Sequence, residues 1–168
     1  MAEAPAQGSP IQGRVDALDT IDRALLQALM EDGRLSNKEL AARVHLAPSS
    51  CLSRVRKLRE SGILRGIHGE VNLRLLGRGL EAMIAVRLNR HSREILDTFK
   101  ARTQALPEVL ALYHIAGVHD FLVHVAVEDS DHMRDLALDA FTNQAEVSQI
   151  ETHLIFEHCV NRSLPRPR

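Results

Sequence analysis

Hydrophobic positions in the first third of the chain recur at three- and four-residue intervals, whereas from about residue 81 they shift to short runs separated by helical stripes. Ile21, Leu25, Leu26 and Leu29 form one helical stripe behind Asp19 and Thr20, either of which can cap, and Gly33 stands where a left-handed stop is common. A second helix is predicted to open at Ser36, whose spacing to Glu39 makes a capping box, with Leu40, Ala41 and Val44 on its apolar side. His45 and Leu46 interrupt it. Pro48 then starts a third helix at a position that tolerates a missing N–H, and Cys51, Leu52, Val55 and Leu58 mark its inward face. Gly62 ends that helix, and Gly66 and Gly69 bracket a short predicted hairpin or wing.

Beyond residue 81 the pattern predicts a strand at 83–88, a helix at 92–105 through Ile95, Leu96 and Phe99, and a strand at 109–115. Residues 121–127 alternate as a third strand. A helix from near Ser130 carries Met133, Leu136, Ala137, Ala140 and Phe141 on one stripe, and residues 151–156 close with a final strand. The order βαββαβ is the split, ferredoxin-like arrangement, an antiparallel sheet with two helices on one face. Ala82, Ile84, Leu122, Ala126, Leu154 and Phe156 do not sort into one oily and one charged side, as a sheet with one wet face requires. A second copy of the chain is the natural cover for the other face, so a homodimer is expected.

The fold class is therefore α+β, an N-terminal winged helix-turn-helix domain followed by a ferredoxin-like βαββαβ domain. Its parts are a disordered tail at 1–15, the helix-turn-helix at 16–66, a wing or linker at 67–80, the ferredoxin-like domain at 81–160, and a second tail at 161–168. Residues 1–15 carry Pro, Gly, Gln and Ser without apolar period, and SLPRPR closes the chain in a similar way.

Composition narrows what such a chain does. Its 168 residues are 45% hydrophobic, with four Phe, one Tyr and no Trp, which is enough for two small cores but leaves few rings for stacking on single-stranded bases. No run approaches the roughly 18 apolar residues of a membrane span, and MAEAPAQGSPIQGR lacks an apolar signal core. A cytoplasmic, nucleoid-associated protein without a membrane partner is expected. Cys51 and Cys159 lie far apart and form no metal-type pair. The net charge of -1 hides an asymmetry: residues 36–74 hold eight Lys or Arg against three Asp or Glu, while residues 92–168 hold seven against twelve. One part suits a polyanion and the other does not.

The cationic cluster falls on the third helix. At about 100° per residue, Ser49, Ser53, Arg56 and Lys57 point away from the apolar side, and Ser50 flanks them. Small hydroxyl residues near a helix N-terminus permit close approach to base edges, and Arg and Lys farther along reach bases or phosphates, the design of a recognition helix in the major groove of double-stranded DNA. Arg54 lies on the flank, where a phosphate contact or a local ion pair suits it. The competing explanation is a merely solvated charged face, against which the capping box, the tight turn and the serines argue.

These segments, LDTIDRALLQALMEDGRLSNKELAARV and HLAPSSCLSRVRKLRESGIL, together with PEVLALYHIAGVHDFLVHVAVED and IETHLIFE, resemble the Lrp/AsnC (leucine-responsive, feast/famine) transcription regulators over roughly residues 18–157. The resemblance implies a DNA-binding helix-turn-helix and a ferredoxin-like domain that assembles the protein, as a dimer or higher homo-oligomer, and senses an amino-acid effector. Two positions depart from the family pattern. His45 replaces the usual turn glycine, and histidine tolerates positive φ better than most residues. Ala47 replaces the usual serine cap, forfeiting about 1 kcal/mol.

In AGVHDF, Gly117 lets a backbone approach a ligand and Asp120 can receive an ammonium group, although a plain hairpin turn explains the same residues. The resemblance favours a ligand loop between subunits. It implies Gly117, Val118 and His119 as loop contacts, Asp120 as ammonium partner, Thr152 as a hydroxyl donor and Leu154 as an apolar neighbour. Nine histidines raise a metal-sensor reading, but none shows tight His-x-x-x-His spacing, so neither a metal nor any other cofactor is expected. No phosphate loop, nucleophile elbow or metalloprotease helix supports an enzyme. The remaining alternative is an architectural DNA-compacting protein of low sequence specificity.

Overall fold

In the computed structural model, which describes residues 18–165, Asp19 caps the first helix by accepting the Asp22 N–H at 2.7 Å. Helix α1, Thr20–Glu31, buries Leu25, Leu26, Ala28 and Leu29. It stops at Asp32 in extended backbone, so the left-handed stop expected at Gly33 does not form. Gly33 is instead a close approach, since a Cβ there would lie 2.2 Å from Ile67 Cγ2. The tail expected at 1–15 lies outside the described residues.

Helix α2, Asn37–Arg43, has the complete capping box: Ser36 Oγ accepts the Glu39 N–H at 3.3 Å, and Glu39 Oε2 accepts the Ser36 N–H at 2.8 Å. The Ser36 hydroxyl and N–H hold the Glu39 carboxyl below its ordinary range. His45 then turns the chain at φ +55°, the one non-glycine residue with positive φ among those described. Helix α3, Pro48–Glu60, follows an Ala47 cap that makes no side-chain hydrogen bond, and Gly62 at φ +74° completes its stop. Leu25, Leu26, Leu29, Leu40, Cys51 and Leu58 form the shared core of the three helices. Leu52 does not join them; it is 59% exposed, contrary to its expected inward position.

No hairpin forms between Gly66 and Gly69: residues 65–72 make no strand, and a 3₁₀ turn at Leu73–Leu76, closed by Gly77 at φ +80°, leads to the sheet. Two compact units result, one of residues 18–69 with 160–165 and the other of residues 70–159. The first unit thus includes part of the expected C-terminal tail. Leu164 packs on its core and donates its N–H to Gln27 Oε1 at 3.0 Å, while Gln27 Nε2 donates to the Arg162 carbonyl at 3.2 Å.

The second unit is the ferredoxin-like domain, with β1 Leu80–Leu88, α4 Arg93–Gln104, β2 Val109–His114, β3 Phe121–Val127, α5 Ser130–Leu136 and β4 Val147–Ile155. A π-helical stretch, Ala137–Thr142, extends α5. The strands are antiparallel in the order β2-β3-β1-β4. Directly opposed residues share a face. One face, Ala82, Ile84, Val86 and Leu88 with Phe121, Val123, Val125 and Val127, is buried with Phe99, Met133, Leu136 and Phe141 from the helical segments. Phe99 packs on Phe121 with ring centroids 4.7 Å apart. The other face carries Met83, Ala85, Leu122, His124 and Ala126; it is small and mixed, and the His158 ring lies edge-on to His124 at 5.9 Å. Of the apolar residues singled out by pattern, Ala82, Ile84 and Leu154 therefore fall on the helix side and Leu122 and Ala126 on the opposite side.

Candidate DNA interface and effector loop

The first unit presents α3 with its two sides sharply different. Cys51 and Leu58 are buried and Val55 is half-buried, whereas Ser49, Ser50, Ser53, Arg56 and Lys57 are all exposed. The start of α3 is held by Asn37, whose Nδ2 donates to the Pro48 carbonyl at 2.8 Å, so the α2 N-terminus fixes the helix that carries the serines. Arg56 Nε meets Glu60 Oε1 at 2.7 Å one turn along, in an exposed pair that a stronger anion can displace at little cost.

Arg54 is engaged inside the unit. Its Nη1 lies 2.6 Å from Asp19 Oδ2 and 2.8 Å from Asp22 Oδ1, which ties α3 to the first turn of α1. The Asp22 N–H, followed by the Arg54 guanidinium, holds the Asp19 carboxyl below its ordinary range, and the two aspartates push the guanidinium above its own. Of the two roles expected for Arg54, the local ion pair is the one present. Cys51, by contrast, has its thiol pushed up by burial and is inert packing.

In the second unit Gly117 adopts φ +146°, a conformation L side chains rarely take, and Val118 beside it is exposed. Asp120 is only 16% exposed at its side chain, and both its oxygens have partners: Oδ2 accepts the Leu88 N–H at 2.7 Å and Oδ1 faces His91 Nε2 at 2.8 Å. Its N–H donates to the Val86 carbonyl at 2.9 Å, so the loop is stitched to the end of β1. His119 reaches Glu151 Oε1 at 3.4 Å.

Thr152 and Leu154 stand opposite Ile84 and Ala82, on the helix side of the sheet, whereas Glu151 stands opposite Ala85 on the other side. Within one chain the loop residues 117–120 therefore meet the last strand at Glu151, not at Thr152 and Leu154. Sequence pattern alone carries no signal for His91 and Glu151, whose partners come from distant strands, or for the Arg54 tie, which joins residues 32 and 35 positions apart. Among the described residues no group of three or more His, Cys, Asp or Glu is arranged to hold a metal ion, and no helix is long and apolar enough to cross a membrane.

A two-helix turn presenting a cationic face, followed by a separate ferredoxin-like unit, is the build of a two-unit DNA-binding class of protein. Comparison agrees: a winged helix-turn-helix DNA-binding profile matches residues 18–65 and an Lrp/AsnC ligand binding domain profile matches residues 81–165. The chain belongs to the Lrp/AsnC family of transcription regulators, and it is no enzyme. It is 40% identical over 151 residues to the HTH-type transcriptional regulator AldR of Mycolicibacterium smegmatis, covering 90% of this chain and 88% of that protein. With the leucine-responsive regulatory protein of Rhizobium meliloti it shares 37% identity over 137 residues, 82% of this chain and 88% of the relative. Among solved structures, a Neisseria meningitidis transcriptional regulator in complex with L-Met superposes with a TM-score of 0.80 at 32% identity, over 88% of this chain and 96% of that one.

Proposed function

We propose that this regulator lays the exposed face of α3 in the major groove of double-stranded DNA, with Ser49, Ser50 and Ser53 close to base edges and Arg56 and Lys57 reaching bases or phosphates. The single observation that carries this reading is the division of α3 into a buried Cys51–Leu58 side and an exposed hydroxyl and cationic side. Arg54 acts here as the tie that fixes the helix. Two chains acting together address two half-sites, and an apolar edge with Leu154 and Phe156, the latter 88% exposed, suits contact with another copy in a dimer or larger ring. Competition binding at physiological salt tests the DNA reading: one sequence strongly preferred over bulk DNA supports it, and near-uniform affinity indicates an architectural role instead.

The effector in this reading is an amino acid bound between subunits at Gly117, Val118 and His119 of one chain. The similarity to a regulator solved with L-Met supports that ligand class. Asp120 keeps its bond to the Leu88 N–H, and the ligand ammonium displaces His91 from Oδ1, because His91 is the exposed partner. Thr152 supplies a hydroxyl and Leu154 an apolar wall from the neighbouring chain. Binding shifts assembly or DNA affinity through differential affinity for the two states. Titration of amino acids against Asp120→Ala provides the check. A ligand response identical to wild type removes Asp120 from the site.

A further inference from the structure

Leu52 is the large apolar residue of α3 that the fold leaves wet. Taking Ser49 as the reference direction and about 100° per residue, Leu52 points about 60° from Ser49 and about 40° from Arg56, and lies about 100° from the buried Cys51 direction. The angles put it at the edge of the outward face, one turn after Ser49 and one turn before Arg56, with Arg59 two turns on in nearly the same direction, and its exposure decides the side. Leu52 is 59% exposed and takes no part in the core that holds Cys51 and Leu58, and Val55 is packed against that core.

The surroundings decide what Leu52 can meet. On its outward side stand Ser49, Ser53 and Arg56, all exposed, a surface that suits base edges and phosphates, while the half-buried Val55 closes the inward side. On the major-groove edge of a duplex the one apolar group is the C5-methyl of thymine, and all other features are hydrogen-bond donors and acceptors. Resting on the major-groove placement proposed above, we infer that Leu52 is a specificity-determining residue that packs on a thymine methyl in each half-site. It reads by contact with a methyl what the neighbouring serines and arginine read by hydrogen bonds.

The test uses the full-length protein and duplexes enriched by it from a randomised pool. Enrichment must place a thymine in each half-site; its absence overturns the inference. Thymines of the enriched duplex are then replaced singly by deoxyuridine, which removes only the methyl. The expected result is a loss of about 4-fold in affinity at one position per half-site, the effect of unburying a group of CH₂ size. Leu52→Ala, checked for an unchanged thermal midpoint, should bind the thymine and deoxyuridine duplexes equally. Full insensitivity of the wild type to every deoxyuridine, or a loss that persists undiminished in Leu52→Ala, overturns the inference. Arg56→Ala and Lys57→Ala, run in parallel, separate the two levels: weakened binding by these with no methyl effect refutes only the role of Leu52, while unchanged binding by both refutes the placement of α3 as well.

Discussion

Arg54 Nη1 lies 2.6 Å from Asp19 Oδ2, so the side chain that caps α1 also anchors α3. One carboxylate thereby serves two elements, and a second, Asp22, completes the tie at 2.8 Å. Arg54→Ala should lower the thermal midpoint of the N-terminal unit and weaken DNA binding while leaving the salt dependence of binding at its wild-type slope, because no phosphate contact is lost. A slope reduced by about one, with an unchanged midpoint, would instead make Arg54 a phosphate ligand.

Acid should weaken this same tie. The Asp19 carboxyl titrates below its ordinary range when folded, so its contribution to stability is complete above the ordinary aspartate value of about 3.9 and is lost as pH falls through the lower folded value. Asp19→Asn should flatten that part of the stability-versus-pH curve. Denaturant midpoints of the two proteins between pH 6 and pH 2 provide the comparison, and parallel curves would remove Asp19 from the acid response.

Lys57 and Glu60 bracket the charge on the exposed face. Lys57→Ala should reduce the slope of log affinity against log salt by about one. Glu60→Gln should act in the opposite direction, since it frees Arg56 from its exposed partner and removes a negative charge from the face. The gain should be largest at low salt, where screening is weakest. Equal affinities for wild type and Glu60→Gln at all salt concentrations would place Glu60 outside the duplex contact.

The two thiols should differ sharply in reactivity. Cys51 is fully buried with its thiol pushed up by burial, whereas Cys159 is exposed. A disulfide reagent should modify one thiol in the native protein and two after denaturation. Cys51→Asp buries a carboxylate without a partner in the three-helix core and should destabilise the unit by more than about 3 kcal/mol, read from a denaturant midpoint.

Much of this was readable from spacing because it depends on neighbours in sequence. The Ser36–Glu39 capping box, Pro48 at the head of α3, the glycine stop at Gly62 and the βαββαβ order are all local patterns. Leu52 was not readable, because 100° per residue leaves it on the border between the two faces and only the packing of α1 and α2 decides the side. The start of β4 at Val147, four residues before the apolar pattern begins, escaped because an edge strand with Ser148 and Gln149 needs no alternation. The partners of Asp120 come from the end of β1 and the residue three beyond it, which a loop motif does not encode.

A cleavage reagent tethered to α3 itself reads its position on DNA. In a Cys159→Ser background, where Cys51 is buried, Ser53→Cys carries an iron chelate that cuts nucleic acid near its own position. With α3 in the major groove, cuts are confined to that groove of each half-site in an enriched duplex. Absence of cutting by a labelled protein that still binds the duplex would contradict that placement.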